Sequence, residues 1–354
     1  MMEWLRYFYD ESFLAAAMGD APTLVLILMT LVSIAVLSKG ADWMIDGAVS
    51  LAMRTRIPKI VIGATIISLG TTTPEAFVSV LAAWSGNPGL ALGNAVGSII
   101  ADTGLIFGLT CILAVTPADR YILNRTGWVQ VGTATLLVGI AVVAYYQAPA
   151  EPTLHRWVGV LFLLMLAGYM AVSVHWARQR GAAATKEEKD EPAETFSLLK
   201  SWTLIAVGLA LIIAGAKVLI PCASEIALRL GVPPDVIAAT MVALGTSLPE
   251  LITALSAVRK GHPEITVGNI VGADVLNCLF VIGASLVASP LMIPRTFYLF
   301  HFPAMLLILY SFRIFIFMNR DGTFKRWQGV WLLLVYVIYV TLQYALSIGT
   351  AAAH

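Results

Sequence analysis

The chain has 354 residues, of which 59% are hydrophobic and 12% charged, against roughly 45–50% and 25% in soluble domains. A mean hydropathy of +0.84 excludes a soluble fold, and a net charge of +1 offers no basic field for nucleic acid. The three cysteines, Cys111, Cys222 and Cys278, fall in apolar stretches, where a disulfide framework is not expected.

Residues 1–20, with Trp4, Arg6, Tyr7, Phe8 and Tyr9, read as a short amphipathic lead-in lying at a membrane interface. They lack the apolar core and small-residue cleavage site of a signal peptide. Spanning a bilayer as a helix takes about 20 apolar residues. The chain offers about ten such stretches, at 22–40, 58–84, 90–116, 127–147, 155–177, 200–228, 234–258, 264–289, 295–318 and 327–348. The one real hydrophilic linker, "RQRGAAATKEEKDEPAETFS" at Arg178–Ser197, divides them five and five. The expected organisation is therefore a lead-in (1–20), a five-helix repeat (21–177), a linker (178–198) and a second five-helix repeat (199–350).

Lysine and arginine are retained on the cytoplasmic side of a membrane. About 17 of them fall in loops on one side, Arg54, Lys59, Arg259, Lys260 and Arg313 among them, against about four on the other, Arg6, Arg156, Arg229 and Arg295. Both termini are thus expected outside a cell membrane and the linker 178–198 in the cytoplasm.

An internal repeat organises the rest. "IPKIVIGATIISLGTTTPEAF" (57–77) aligns with "VPPDVIAATMVALGTSLPELI" (232–252) at an offset of 175, and "GNAVGSIIAD" (93–102) with "GNIVGADVLN" (268–277) at the same offset. About 18 of the 52 pairs from 57 to 108 are identical. Because each half has an odd number of spans, the second copy enters the membrane from the opposite face. The expected fold is all-α, ten transmembrane helices as two inverted five-helix repeats. In secondary transporters so built, the site lies near mid-membrane on helices interrupted by Gly or Pro.

The matched segments are interrupted in this way and carry acids. An intramembrane carboxylate costs about 2.5–3.5 kcal/mol on insertion scales, so Glu75 and Glu250 need a compensating partner. Lys217, the one Lys or Arg placed within a span, aligns with Asp42, and those two are expected to pair at the periphery. That leaves a bound hard cation for the glutamates. Pro74 and Pro249 lack an N–H, which frees the carbonyls of Gly70 and Gly245 four residues earlier. Thr71 and Thr246 lie one helical turn before Glu75 and Glu250, and Thr72 and Ser247 add hydroxyls. Ser98 and Asp102 share a helix face; Ala273 and Asn277 take the equivalent positions. Glu75, Glu250 and Asp102 total −3 if ionised, matching three Na⁺, or one Ca²⁺ with a proton kept on one acid, although other combinations satisfy the same arithmetic.

"LGTTTPE" with "GNAVGSIIAD", and "LGTSLPE" with "GNIVGADVLN", resemble the two α-repeats of the calcium/cation antiporter superfamily, most closely prokaryotic sodium/calcium exchangers. The resemblance covers nearly the whole chain. It implies electrogenic exchange of several Na⁺ for one Ca²⁺ by alternating access, with a diamond of four ion sites between the second, third, seventh and eighth spans. By motif position it implies that Glu75 and Glu250 are shared by the calcium site and its neighbours. Thr71, Thr246, Thr72, Ser247 and Ser98 would supply further oxygens, with Asp102 and Asn277 at the central acid and amide positions.

Four positions depart from the pattern. Ala273 replaces the usual Ser and removes a hydroxyl, weakening one sodium site or leaving it to water. "GTTTPE" puts Thr72 for Ser and Thr73 for Leu. Asp274 is an additional acid opposite Ile99; one residue is a rotation of about 100° on a helix, so it is expected behind the ligands or neutral, with selectivity in doubt if it were ionised and inward.

A calcium/proton antiporter would use the same fold and glutamates, though the hydroxyl-rich neighbourhood favours sodium. A passive cation channel is the alternative of another class. No HExxH, Walker A or catalytically placed GxSxG occurs, so no enzyme activity, catalytic residue or cofactor is expected. The transported Ca²⁺ and Na⁺ and the lipid bilayer are the expected partners, and the protein is expected to function as a monomer.

Overall fold

The computed structural model describes residues 18–351 apart from 20, 56, 185–195, 232–244 and 246. Most of the lead-in, most of the linker, the first part of the seventh span and Thr246 therefore lie outside the described residues. The helices are α1 (Thr23–Thr55), α2 (Lys59–Thr71), α3 (Thr73–Trp84), α4 (Pro88–Leu113), α5 (Arg120–Gln147) and α6 (Arg156–Ala184). They continue as α7 (Leu198–Arg229), α8 (Leu248–Arg259), α9 (Pro263–Ala288), α10 (Phe297–Met318) and α11 (Arg326–Ala351). Two-residue strands β1 (Thr153–Leu154) and β2 (Leu291–Met292) pair antiparallel between loops.

Among the described residues, eight helices are long and apolar enough to cross a membrane, and α2 with α3, bent by 41°, makes a ninth. α8 is the described part of the tenth. Helix starts follow from local chemistry. The Asn87 side chain accepts from the Leu90 N–H ahead of Pro88, Asp119 caps α5, and Ser197 caps α7.

Burial sorts the helices into layers. The apolar windows of α4 and α9 are 72% and 83% buried, those of α1 and α7 only 28% each. α4 and α9 thus form the centre, while α1 turns Leu28, Leu31 and Val32 outward, as a lipid-facing helix does.

Glycines let the backbones of α1 and α7 meet. A Cβ on Gly40 would lie 2.7 Å from the Gly208 carbonyl, and one on Gly215 would lie 3.2 Å from that of Ser33. Ser33 aligns with Gly208 and Gly40 with Gly215 at the repeat offset of 175, so exchanging the repeats turns one contact into the other. The same exchange holds at the two ends of the molecule. The Ala118 N–H donates to Gly322 O at 2.7 Å and the Ile293 N–H to Pro152 O at 2.8 Å. Ala118 and Ile293 are again 175 apart, Pro152 and Gly322 170 apart. Such self-complementary pairs are the signature of a two-fold axis, here relating the two halves of one chain.

Two charges sit differently from expectation. α1 runs to Thr55, fifteen residues past the expected end of the first span, because its acids find partners. Asp42 accepts from Ser256 at 2.6 Å and pairs with Arg259, while Lys260 bonds Asp46 at 2.5 Å. Asp42 therefore does not pair with Lys217. Gly215 abuts Ser33 and Gly208 abuts Gly40, so the helices run antiparallel and Lys217 lies about 16 Å along α1 from Asp42 at 1.5 Å per residue. Arg313, expected in a loop, is buried within α10, bonded to Asn124 at 3.0 Å and lying over the Trp128 ring.

Among the described glycines, those where α2 meets α9 leave the least room for a side chain. A Cβ on Gly268 would fall 1.9 Å from the Ile60 carbonyl, a backbone atom with nowhere to go. Gly268→Ala is expected to destabilise the protein by about 1–3 kcal/mol, the usual range for overpacking, measured as a lowered melting temperature in detergent. Gly132→Ala, where nothing lies within 4 Å, is the matched control and should leave it unchanged.

Candidate ion-binding site

The second span breaks at Thr72, between α2 and α3. Pro74 opens α3 and Glu75 stands in its first turn; Pro249 and Glu250 repeat this at the start of α8. A helix N-terminus carries partial positive charge, so each glutamate sits where the backbone best tolerates it. Gly70 and Gly245, half-buried, flank the breaks against the side chains of Leu209 and Ile220 on α7.

Opposite them, α4 and α9 each contain a π-helical turn, Asp102–Phe107 and Asn277–Val281. Both begin at the aligned acid and amide positions. A π turn adds a residue to the helical circuit and recurs at functional sites; here it presents Asp102 and Asn277 at corresponding points of the two repeats.

Glu75, Glu250, Asp102 and Asn277 are each 1% exposed, and Thr71, Thr72, Ser98 and Ser247 are equally enclosed. The Glu75 carboxyl lies within electrostatic reach of Glu250 and Asp102, and Asp102 within reach of Glu250 and Ser247. Thr71, expected beside Glu75 on its own helix, instead faces the other repeat. Its hydroxyl lies by Glu250 and 3.4 Å from Asn269 Oδ1. Thr246 lies outside the described residues. Thr73 points outward, its hydroxyl donating to the Leu69 carbonyl at 2.6 Å, and takes no part.

The chemistry of this cluster is that of bare acceptors. Both oxygens of Glu75, both of Asp102, Oε2 of Glu250, Oδ1 of Asn277 and the hydroxyls of Thr72, Ser98 and Ser247 are buried without a hydrogen-bond partner. Buried polar groups are nearly always satisfied. So many unpaired oxygens of mixed type in one place fit hard cations, which take carboxylate, hydroxyl and carbonyl oxygens together. No three His, Cys, Asp or Glu side chains among the described residues close on one point as a metal group, so an ion here would draw on hydroxyls and carbonyls as well.

Some participants were missed from the sequence. Asn94 donates its amide to the Glu75 carbonyl at 3.2 Å and to Ser79 at 2.9 Å, tying α4 to α3. Asn269, its aligned partner, receives Thr71. The identity of "GN" in both repeats was the available signal. Thr253 is another buried unpartnered hydroxyl, three residues after Glu250. Asp274 turns from the cluster to accept from Thr103 and Gln130, both at 2.5 Å.

An inverted-repeat bundle with paired acids on broken helices defines an ion antiporter of the membrane. The chain belongs to the sodium/calcium exchanger protein family, whose sequence profile matches residues 25–175 and 200–345. It is 30% identical over 318 residues to an uncharacterized membrane protein of Methanocaldococcus jannaschii, covering 88% of this chain and 95% of that one. It is 28% identical to the sodium/calcium exchanger MaX1 of Methanosarcina acetivorans, covering 89% of this chain and 97% of that one. Among solved structures it resembles the sodium-calcium exchanger NCX_Mj soaked with zero Na⁺ and Ca²⁺, with a TM-score of 0.74 and 25% identity over 91% of this chain and all of that one.

Ser98 aligns with Ala273, which is fully buried and lacks the hydroxyl. Ala273→Ser is expected to tighten Na⁺ binding by about 2–10-fold, the worth of one added polar contact of roughly 0.5–1.5 kcal/mol. Isothermal titration of the purified protein with NaCl reads this directly.

Proposed function

We propose that the protein exchanges several Na⁺ for one Ca²⁺ across a cell membrane by alternating access, as a single chain with repeats at 21–177 and 199–350. The observation that carries this is the set of buried, unpartnered oxygens contributed by both repeats around Glu75, Glu250 and Asp102. Removing such carboxylates from water is unfavourable unless cations replace the lost hydration. Because these positions carry no lysine or arginine, the cations have to be the cargo.

In this reading Glu75 and Glu250 are ligands shared by Ca²⁺ and Na⁺. Thr71, Thr72, Thr246, Ser98 and Ser247 add hydroxyls, Gly70 and Gly245 carbonyls, and Asp102 and Asn277 the central acid and amide. Three carboxylates balance three Na⁺, or one Ca²⁺ with one acid protonated. The two loads then bring the site to the same charge, which permits either to fill it but discourages an empty or doubly filled crossing. Arg54 and Lys59 lie toward the same end as Arg259 and Lys260, which supports a cytoplasmic linker and outward termini by the retention of positive charge.

Uptake of ⁴⁵Ca²⁺ into proteoliposomes is expected to follow an imposed Na⁺ gradient. An equal pH gradient in its place should not drive it; uptake driven by pH would assign proton exchange, and uptake needing neither gradient would assign a channel. Glu75→Gln and Glu250→Gln are each expected to abolish uptake while leaving the elution profile and helix content of the protein unchanged. Wild-type flux in either variant would remove the glutamates from the site.

A further inference from the structure

Asp274 belongs to a second polar cluster on one flank of the site. Its Oδ2 accepts the Thr103 hydroxyl of α4 and the Gln130 amide of α5. Its Oδ1 has no partner, and neither has Oε1 of Gln130. Asp274 and Gln130 are each 1% exposed and Thr103 is fully buried. Thr103 is also the residue after Asp102, inside the π turn that presents Asp102, and the Asp102 carboxyl lies within electrostatic reach of Asp274. The cluster therefore adjoins the central site on the side of α5, outside the four helices that frame it.

The fold does not require this arrangement. At the repeat offset of 175, Asp274, Thr103 and Gln130 correspond to Ile99, Cys278 and Met305, and those three are buried too. The opposite half thus packs the equivalent position with apolar groups of ordinary size. Replacing buried ionic groups by well-packed apolar ones is often neutral or stabilising, so stability alone gives no reason to keep a carboxylate, an amide and a hydroxyl here. Two bare acceptors that receive no hydrogen bond among the described residues call for a positive charge. One carboxylate balances one unit of charge, and the remaining oxygens, Gln130 Oε1 and Thr103 Oγ1, are neutral. A divalent ion would be left with uncompensated charge in a buried place, whereas an alkali cation is matched.

We infer that Asp274, Gln130 and Thr103 form an additional, asymmetric station for a monovalent alkali cation beside Asp102, separate from the ions shared by Glu75 and Glu250. It adds a fourth acid to the three that balance the cargo, and gives the transporter a cation contact on one flank that its inverted symmetry does not reproduce on the other. The inference rests on reading the central cluster as a cation site.

The test is equilibrium binding of ²²Na⁺ and ⁸⁶Rb⁺, the latter standing in for K⁺, to the full-length protein in detergent, together with ⁴⁵Ca²⁺. Two variants are compared with the wild type. One is Asp274→Asn; the other combines Thr103→Cys, Gln130→Met and Asp274→Ile, which installs the packing that the opposite half already tolerates. Both are expected to bind one monovalent cation fewer per chain while still binding Ca²⁺, and the isotope that drops identifies Na⁺ or K⁺ as the occupant. An unchanged count in both variants overturns the inference, including the case where affinities shift, because an acid acting only through its field or holding a proton alters affinity and not number. If the wild type binds neither Na⁺ nor Ca²⁺, the central site falls as well; if it binds both with an unchanged count in the variants, only this station falls.

Discussion

Two glutamates enclosed in the middle of a membrane protein, with no lysine or arginine beside them among the described residues, set the terms for everything else in this molecule. Glu75 and Glu250 stand in the first turns of half-helices, where the backbone dipole offsets part of the cost of their charge. The rest has to come from outside the chain. The broken second span, the half-helix α8, the π turns at Asp102 and Asn277 and the unpartnered hydroxyls around them are all ways of exposing oxygen inward without exposing it to lipid. A regular helix would have consumed those carbonyls in its own hydrogen bonds and turned its side chains elsewhere.

The two-fold relation is what lets one short motif build a closed cage. Thr71 of the first repeat lies against Glu250 of the second, and Ser247 of the second lies against Asp102 of the first. Each repeat thus completes the other's site rather than its own. The glycine contacts carry that relation outward. Gly159 abuts the Gly283 carbonyl in the way Gly329 abuts that of Gly108, and the pairing of β1 with β2 at one end answers the Pro117–Thr323 bridge at the other. Small residues at these crossings allow backbone approach where lipid offers no hydrophobic drive for association.

Much of this was legible in the sequence because it depends on identity at a fixed offset. The all-helical inverted fold followed from the repeat, and the residues gathered in the cluster are those that share its motifs. What was not legible depends on geometry across the axis. Thr71 was placed with Glu75 because helical spacing sees only one strand of chain, whereas the crossing of α2 over α9 sends it to the other repeat. The end of α1 was set too early because the apolar stretch ends at residue 40, whereas the helix continues through Asp42 and Asp46 with Arg259 and Lys260 paired to them. Gln130 carried no pattern of its own; only the fold brings it to Asp274.

The ion pairs from α1 to the end of α8 are not repeated by the same residue types at the aligned positions. The positions aligned with Asp42, Asp46, Arg259 and Lys260 are Lys217, Pro221, Trp84 and Ser85, a set that cannot form the same clasp at the far face. A machine built from two matching halves would by itself rest equally often open to either side. The clasp at the end of α8 differs in kind from the far face, where Arg229 of α7 holds Thr23 and the Met18 and Gly19 carbonyls, and a difference between the faces tilts that balance about tenfold for each 1.4 kcal/mol. In a chain that alternates as proposed, the resting pose is then set partly by charges outside the ion cage, so substitutions there shift the pose while the cargo site stays the same.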